Sequence, residues 1–203
     1  MNTLHALTLT AIFALVTAGT AVAGGPTDQV RRSADEVLKI VQSQPDGPAR
    51  RTTLRQAANR LFDFEQTAKR ALGPHWQQRT PAEREEFVRL FTDLLEAAYV
   101  GKIDLYQGEK ITYVGETVDA GDQATVKTRI ATKQGSEVPV DYRLLREKDG
   151  WRVYDVIIEG VSLVANYRTQ FNKIIQTSSY DDLVKRMRAK DFSAPEGNRG
   201  RRS

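Results

Sequence analysis

The chain has 203 residues, no cysteine, and 30 basic against 26 acidic side chains. Zero cysteine excludes a disulfide-stapled scaffold, a thiol nucleophile, a cysteine metal site and a lipoprotein acyl anchor. The formal charge of +4 argues only weakly for nucleic acid or an anionic membrane: half of it sits in the last eleven residues, where Arg199, Arg201 and Arg202 face one Glu196.

Met1 to Ala23 contains no Lys, Arg, Asp or Glu. Leu4 to Val16 is an apolar run broken only by His5, Thr8 and Thr10, and small residues lead from it to Ala21-Val22-Ala23. This reads as a secretory signal with cleavage at Ala23/Gly24, although its first residues lack the usual basic charge. No later stretch approaches the roughly 20 apolar residues of a membrane span. The expected organisation is a signal peptide over 1–23, one domain over 24–192, and a disordered basic tail over 193–203.

Four helices come first. Asp28 to Gln44 places Val30, Ala34, Val37, Leu38 and Val41 on one face, and Pro45-Asp-Gly-Pro48 ends it with turn chemistry. A second helix covers Arg50 to Leu61. A third starts at Asp63, an N-cap with Gln66 three residues on, and stops at Gly73-Pro74. The fourth opens on Thr80-Pro-Ala-Glu83, a capping box with proline in the first helical position. Its Phe87, Leu90, Phe91, Leu94 and Ala98 share a face, and Gly108 closes the segment.

Four strand-like runs follow: Lys110 to Val118, Gln123 to Thr132, Glu137 to Glu147, and Trp151 to Glu159. Asp119 to Asp122, Lys133 to Ser136 and Lys148-Asp-Gly150 read as hairpin turns. Ala124, Val126, Thr128 and Ile130 alternate with polar neighbours, as do Val138, Val140, Tyr142 and Leu144. One covered face and one wet face is the antiparallel signature. The fourth run is apolar on both faces and should be the most buried. After Gly160, Ser162 caps a helix whose apolar face is Val161, Val164, Tyr167, Phe171, Ile174 and Ile175. A last helix spans Ser179 to Lys190. The fold class is α+β: a curved four-stranded antiparallel sheet covered on one face by helices from both ends of the chain, a nuclear-transport-factor or cystatin-like cone with extra helices.

The catalytic inventory is short. His75 is the one histidine after the first 23 residues, and no phosphate-binding loop, dinucleotide fingerprint or G-x-S-x-G sequence occurs. Asp155 stands out because it lies among Val153, Tyr154, Val156, Ile157 and Ile158. A carboxylate there must be paired, hydrogen-bonded or protonated. A salt bridge or cap interaction, with an arginine such as Arg168, is one reading. A general base beside Tyr142 or Tyr154, as in isomerase-like cones, is the other.

Phe62-Asp-Phe64, Ala71-Leu-Gly73 with Trp76, and Phe87, Phe91, Leu94-Leu95 and Tyr99 occur in that order. Gly150-Trp-Arg-Val-Tyr-Asp-Val-Ile-Ile-Glu-Gly-Val-Ser-Leu-Val164 and Asn166-Tyr-Arg-x-Gln-Phe171 follow. Over about Thr27 to Lys190 the chain resembles the MlaC / toluene-tolerance (Ttg2D-type) family of periplasmic phospholipid-binding proteins. The hopanoid-associated branch (HpnM) of the same superfamily is equally similar. The resemblance implies a soluble, monomeric, non-enzymatic periplasmic carrier with a phospholipid as cargo and no metal or other cofactor. It implies transfer between an inner-membrane ABC transporter complex and an outer-membrane lipoprotein complex, with no nucleic-acid partner.

Such a carrier must shield two acyl chains, roughly 30 methylenes at about 0.8 kcal/mol each. A surface patch cannot do this; an apolar cleft between sheet and helices can. The expected lipid-facing set is Phe87, Phe91, Leu94, Tyr99, Val126, Ile130, Val140, Tyr142, Leu144, Val164, Tyr167 and Phe171. Trp76 and Trp151 are expected to pack the interior. No arginine cluster converges to hold a phosphate, so tails rather than headgroup should dominate affinity.

Overall fold

The computed structural model describes residues 24–104, 109–119, 121–132 and 135–192. The expected signal peptide, the basic tail, Gly108 and parts of two hairpin turns lie outside the described residues.

Six α-helices run in chain order as α1 (Pro26–Ser43), α2 (Pro48–Leu61), α3 (Phe64–Leu72), α4 (Pro81–Asp104), α5 (Leu163–Thr177) and α6 (Tyr180–Ala189), with a 3-10 turn over Gly73–Gln78 between α3 and α4. The strands are β1 (Ile111–Asp119), β2 (Gln123–Ala131), β3 (Glu137–Glu147), β4 (Gly150–Ile158) and β5 (Val161–Ser162). They form one antiparallel meander in sequence order.

Helix starts follow the local chemistry. The Asp63 carboxylate accepts from the Gln66 amide at 2.9 Å. Thr80 and Glu83 close the capping box in both directions: the Thr80 amide donates to Glu83 at 2.7 Å and the Glu83 amide donates to Thr80 Oγ1 at 3.3 Å. Ser162 and Ser179 cap α5 and α6. The cap of α1 was invisible in the sequence, because it comes from 89 residues away. Glu116 of β1 accepts from the Thr27 amide at 2.8 Å and from its hydroxyl at 2.6 Å.

Two expectations shift. The sheet has five strands rather than four: Glu159 and Gly160, with φ of 50° and 82°, turn the chain back so that Ile158 pairs Val161. A two-residue turn with both central φ positive suits the strand twist, and glycine takes the second position without strain. Two residues are too short a strand for alternation to reveal. In α1 the buried stripe runs through Val30, Ser33 and Ile40 rather than through Ala34 and Leu38, which stay half-buried.

The buried apolar residues form two separate cores, the larger of them helical, plus a small one between α1 and α2. The helical core gathers α3, α4, α5, α6 and the 3-10 turn around Phe87, Phe91, Tyr167 and Phe171. The sheet core joins the inner face of β2, β3 and β4 to Val30 of α1 and Leu61 of α2. Domains of this size usually have one contiguous core. Here the helical layer hangs from the outer edge of β4: the Asp63 amide donates to the Val153 carbonyl at 2.9 Å, and Thr67 Oγ1 donates to the Tyr154 carbonyl at 3.1 Å. Arg152 reinforces the joint by donating to the carbonyls of Asn59 and Phe62, both at 2.8 Å.

Candidate functional site

Asp155 belongs to this joint. It is 4% exposed, and three donors converge on it. Ser162 Oγ donates at 2.7 Å, the Val164 amide at 3.1 Å and Arg143 at 3.4 Å. The partner is therefore Arg143, its register neighbour on β3, and not Arg168, whose stem instead lies against Gly73. Neither tyrosine considered as an accessory group bonds to it. Tyr142 sits opposite Val156, and the Tyr154 hydroxyl donates to Gln123 at 3.4 Å with Arg70 over its ring. With its lone pairs directed to α5 and β3, Asp155 anchors the first turn of α5 to the sheet. His75 plays a similar joining part, its Nε2 lying 2.9 Å from Asn172 Oδ1.

That anchored turn sits between the two cores. Leu163 packs against the sheet core, Tyr167 belongs to the helical core, and Val164 is buried yet a member of neither. Positions 163, 164 and 167 lie on one helical face, three and four residues apart. The face thus crosses from one core to the other within a turn.

The inner face of the sheet is graded along the strands. The register places Ala124 beside Leu144, and Leu144 beside Val153; none is more than 2% exposed. At the other end Ile130 pairs with Val138, Val140 pairs with Ile158, and all but Val140 are half-buried. Tyr113, Tyr142 and Leu163 are half-buried and pack against the same core. On the helical side Leu95 and Tyr99 are half-buried on α4, beyond the fully buried Phe87, Phe91 and Leu94. These half-buried apolar side chains are the open margins of two separate cores, linked through Leu163, Val164 and Tyr167 of α5. We call these margins and that link the seam, and the seam is the candidate site.

Its electrostatics are those of a dry place. Burial drives the Tyr99 phenol far up from its usual range, with the neighbouring Tyr167 adding to the effect. Burial alone pushes Tyr167 up to about 12. Burial, then proximity to Tyr113, takes Tyr142 up to about 12 against a hydrogen bond with Thr128. These phenols stay neutral, and a neutral phenol is a hydrogen-bond donor.

The expected lipid-facing residues therefore fall into three groups. Phe87, Phe91, Leu94 and Phe171 sit inside the helical core, where Phe91 makes edge contacts with Tyr167 at 5.1 Å and Phe171 at 5.3 Å between ring centres. Val126, Val140 and Leu144 sit inside the sheet core. Tyr99, Ile130, Tyr142, Val164 and Tyr167 border the seam. Leu95, Val138, Ile158 and Leu163 border it too but were absent from that set, since apolar periodicity marks a face without saying where its cover stops. Trp76 and Trp151 are each 5% exposed and pack into the helical and sheet cores respectively.

A groove of about 800 Å³ is lined by α3, the 3-10 turn and the first turns of α4. Glu65, Lys69, Arg84, Glu85 and Arg89 flank its Trp76 and Val88 floor. Covering those charges with an acyl chain would cost more than the small apolar floor returns. Among the described residues no group of His, Asp or Glu is arranged to hold a metal ion, and no helix is long and apolar enough to cross a membrane.

Comparison with known proteins gives a consistent set of likenesses. The family model described as MlaC protein matches residues 31–189. The chain is 24% identical over 183 residues to the intermembrane phospholipid transport system binding protein MlaC of Haemophilus influenzae, covering 85% of each chain. It is 25% identical over 181 residues to the toluene tolerance protein ttg2D of Pseudomonas putida, covering 86% of this chain and 83% of the relative. Among solved structures, a phospholipid-binding protein from Ralstonia solanacearum in complex with a phospholipid superposes with a TM-score of 0.74 at 25% identity. The match covers 83% of this chain and 97% of that one.

Proposed function

From the premise that this chain belongs to the MlaC family, we propose that it is a phospholipid-binding transport protein whose cargo lies in the seam between its two cores. The observation that carries the proposal is the seam itself. Half-buried Leu95 and Tyr99 on α4, and half-buried Ile130, Val138, Tyr142, Ile158 and Leu163 on the sheet side, are the open margins of two otherwise complete cores, linked by buried Val164 and Tyr167. The phospholipid in the Ralstonia solanacearum relative and the transport named for the Haemophilus influenzae relative support it. Phe91, Val126, Val140, Leu144 and their core neighbours form the walls behind this lining, and they become tail contacts as the seam widens around cargo.

The remaining parts of the reading follow from the same premise. The uncharged Met1 to Ala23 segment directs export to the periplasm and is removed at Ala23/Gly24. The protein works as a monomer, without catalysis or cofactor, passing lipid between an inner-membrane ABC transporter and an outer-membrane lipoprotein complex. Asp155 supports this over the isomerase-like alternative, because its acceptor capacity is engaged in anchoring α5. A hopanoid-type cargo is the competing ligand, and the same experiment separates the two. Native mass spectrometry of the gently purified protein should show an added mass fitting a phospholipid. A bare protein mass from several expression hosts would overturn the carrier reading, and a triterpenoid mass would replace the cargo.

A further inference from the structure

The Tyr167 hydroxyl is buried and has no hydrogen-bond partner among the described residues, while its side chain as a whole has no solvent exposure. Other tyrosines of the fold find acceptors: Tyr180 donates to the Glu83 carbonyl at 3.2 Å and Tyr154 to Gln123 at 3.4 Å. Phenylalanine would supply the same ring packing against Phe91 and Phe171 without leaving a buried donor unmet. The orphan donor therefore asks for an acceptor that the described residues do not supply.

Its position says where that acceptor comes from. Side chains on an α-helix lean toward the helix N-terminus. On α5 that direction carries the Tyr167 phenol away from Phe171 and toward Val164 and Leu163, the turn that crosses the seam. The Tyr99 phenol, on the α4 wall, is close enough to sense it electrostatically. Among the described residues the nearby arginines are engaged elsewhere: Arg168 lies against Gly73, Arg143 is bound to Asp155, and Arg70 and Arg84 cover Tyr154 and Trp76. A buried phosphate without a cation is too costly to desolvate. An uncharged carbonyl oxygen is not.

We propose that Tyr167 is a polar specificity contact within the apolar seam, its hydroxyl donating to an acyl-ester carbonyl of the bound glycerolipid. The contact rests on the carrier reading above and sharpens it. It fixes how deep the cargo sits, because tails alone can slide in a greasy cleft while one directed hydrogen bond sets the register. It also gives a preference for ester-linked over ether-linked chains, since a dialkyl lipid lacks the carbonyl and leaves the hydroxyl unpaired.

The test uses Tyr167→Phe, which removes one oxygen and retains the ring. Equilibrium binding of a diacyl and a matching dialkyl phospholipid is measured for the full protein and the variant, with a thermal melt of each. The unmodified protein should prefer the diacyl lipid about tenfold, the equivalent of one ordinary hydrogen bond. Tyr167→Phe should lose that preference by weakening diacyl binding alone, and should melt no lower than the unmodified protein when empty. Equal binding of both lipids by the unmodified protein would overturn the contact while leaving the carrier intact. Equal loss for both lipids in the variant would do the same, by assigning Tyr167 to packing. Failure of both lipids to bind the unmodified protein would overturn the carrier reading and the contact together.

Discussion

The two cores are built differently. The helical core is aromatic and closed: Phe87, Phe91, Tyr167 and Phe171 interlock with ring centres 5.1–6.0 Å apart, each at most 1% exposed. The sheet core is aliphatic and graded, closed at Ala124, Leu144 and Val153 and open at Ile130, Val138 and Ile158. Interlocked rings resist displacement, because each held edge needs its neighbour in place. An aliphatic margin already half in contact with water loses little when it moves. A carrier needs one firm wall and one yielding margin, and the chain supplies them from separate clusters.

Substitutions that separate the two behaviours differ in size. Phe171→Ala, in the closed core, should destabilise the protein by about 3–5 kcal/mol, measured by urea unfolding, whether or not lipid is bound. Asp155→Ala should cost about 2–3 kcal/mol, because the Ser162 hydroxyl and Val164 amide lose a charged acceptor where α5 leaves the sheet. Should the loss be a few tenths, the joint is held by packing and not by this carboxylate. Ile130→Ala, on the open margin, should cost only about 1 kcal/mol in the empty protein. Its larger effect should be on lipid retention, read as the lipid-bound fraction by native mass spectrometry. Equal damage from Ile130→Ala and Phe171→Ala would erase the distinction between the cores.

The smallest effect concerns pH. Glu147 is held above the usual carboxylate range, chiefly by its hydrogen bond with Asp63, then by burial and by repulsion from the same group. A carboxyl whose folded pKa is raised stabilises the fold below its unfolded value and loses that contribution as pH rises through the folded value. Glu147→Gln should therefore be the more stable form at neutral pH by about 0.5 kcal/mol, with the gain vanishing toward acid. Parallel stability-versus-pH curves for the two proteins would contradict this.

Much of the fold was legible from local chemistry. Asp63, Thr80, Ser162 and Ser179 announce helix starts because capping is written within four residues. Strand patterning located β1 to β4, and alternation gave the inward faces of β2 and β3. What depends on distant partners was not legible. Glu116 capping α1, Arg143 answering Asp155, and the division into two cores all arise from contacts between segments distant in sequence. The same limit explains the site. Phe91 and Tyr142 carry the same apolar signal in sequence, yet one is locked among rings and the other sits at a margin.

The central claim is that cargo lies between the cores, and photo-crosslinking reads it most directly. A phospholipid bearing a diazirine in its acyl chain would be bound, irradiated, and the labelled peptides mapped. Labels should fall on Leu95, Tyr99, Ile130, Val138, Tyr142, Ile158 and Leu163. Labels concentrated on Trp76 and Val88 in the groove of α3 and α4, or on the wet face of the sheet at Lys127 and Arg129, would contradict the account.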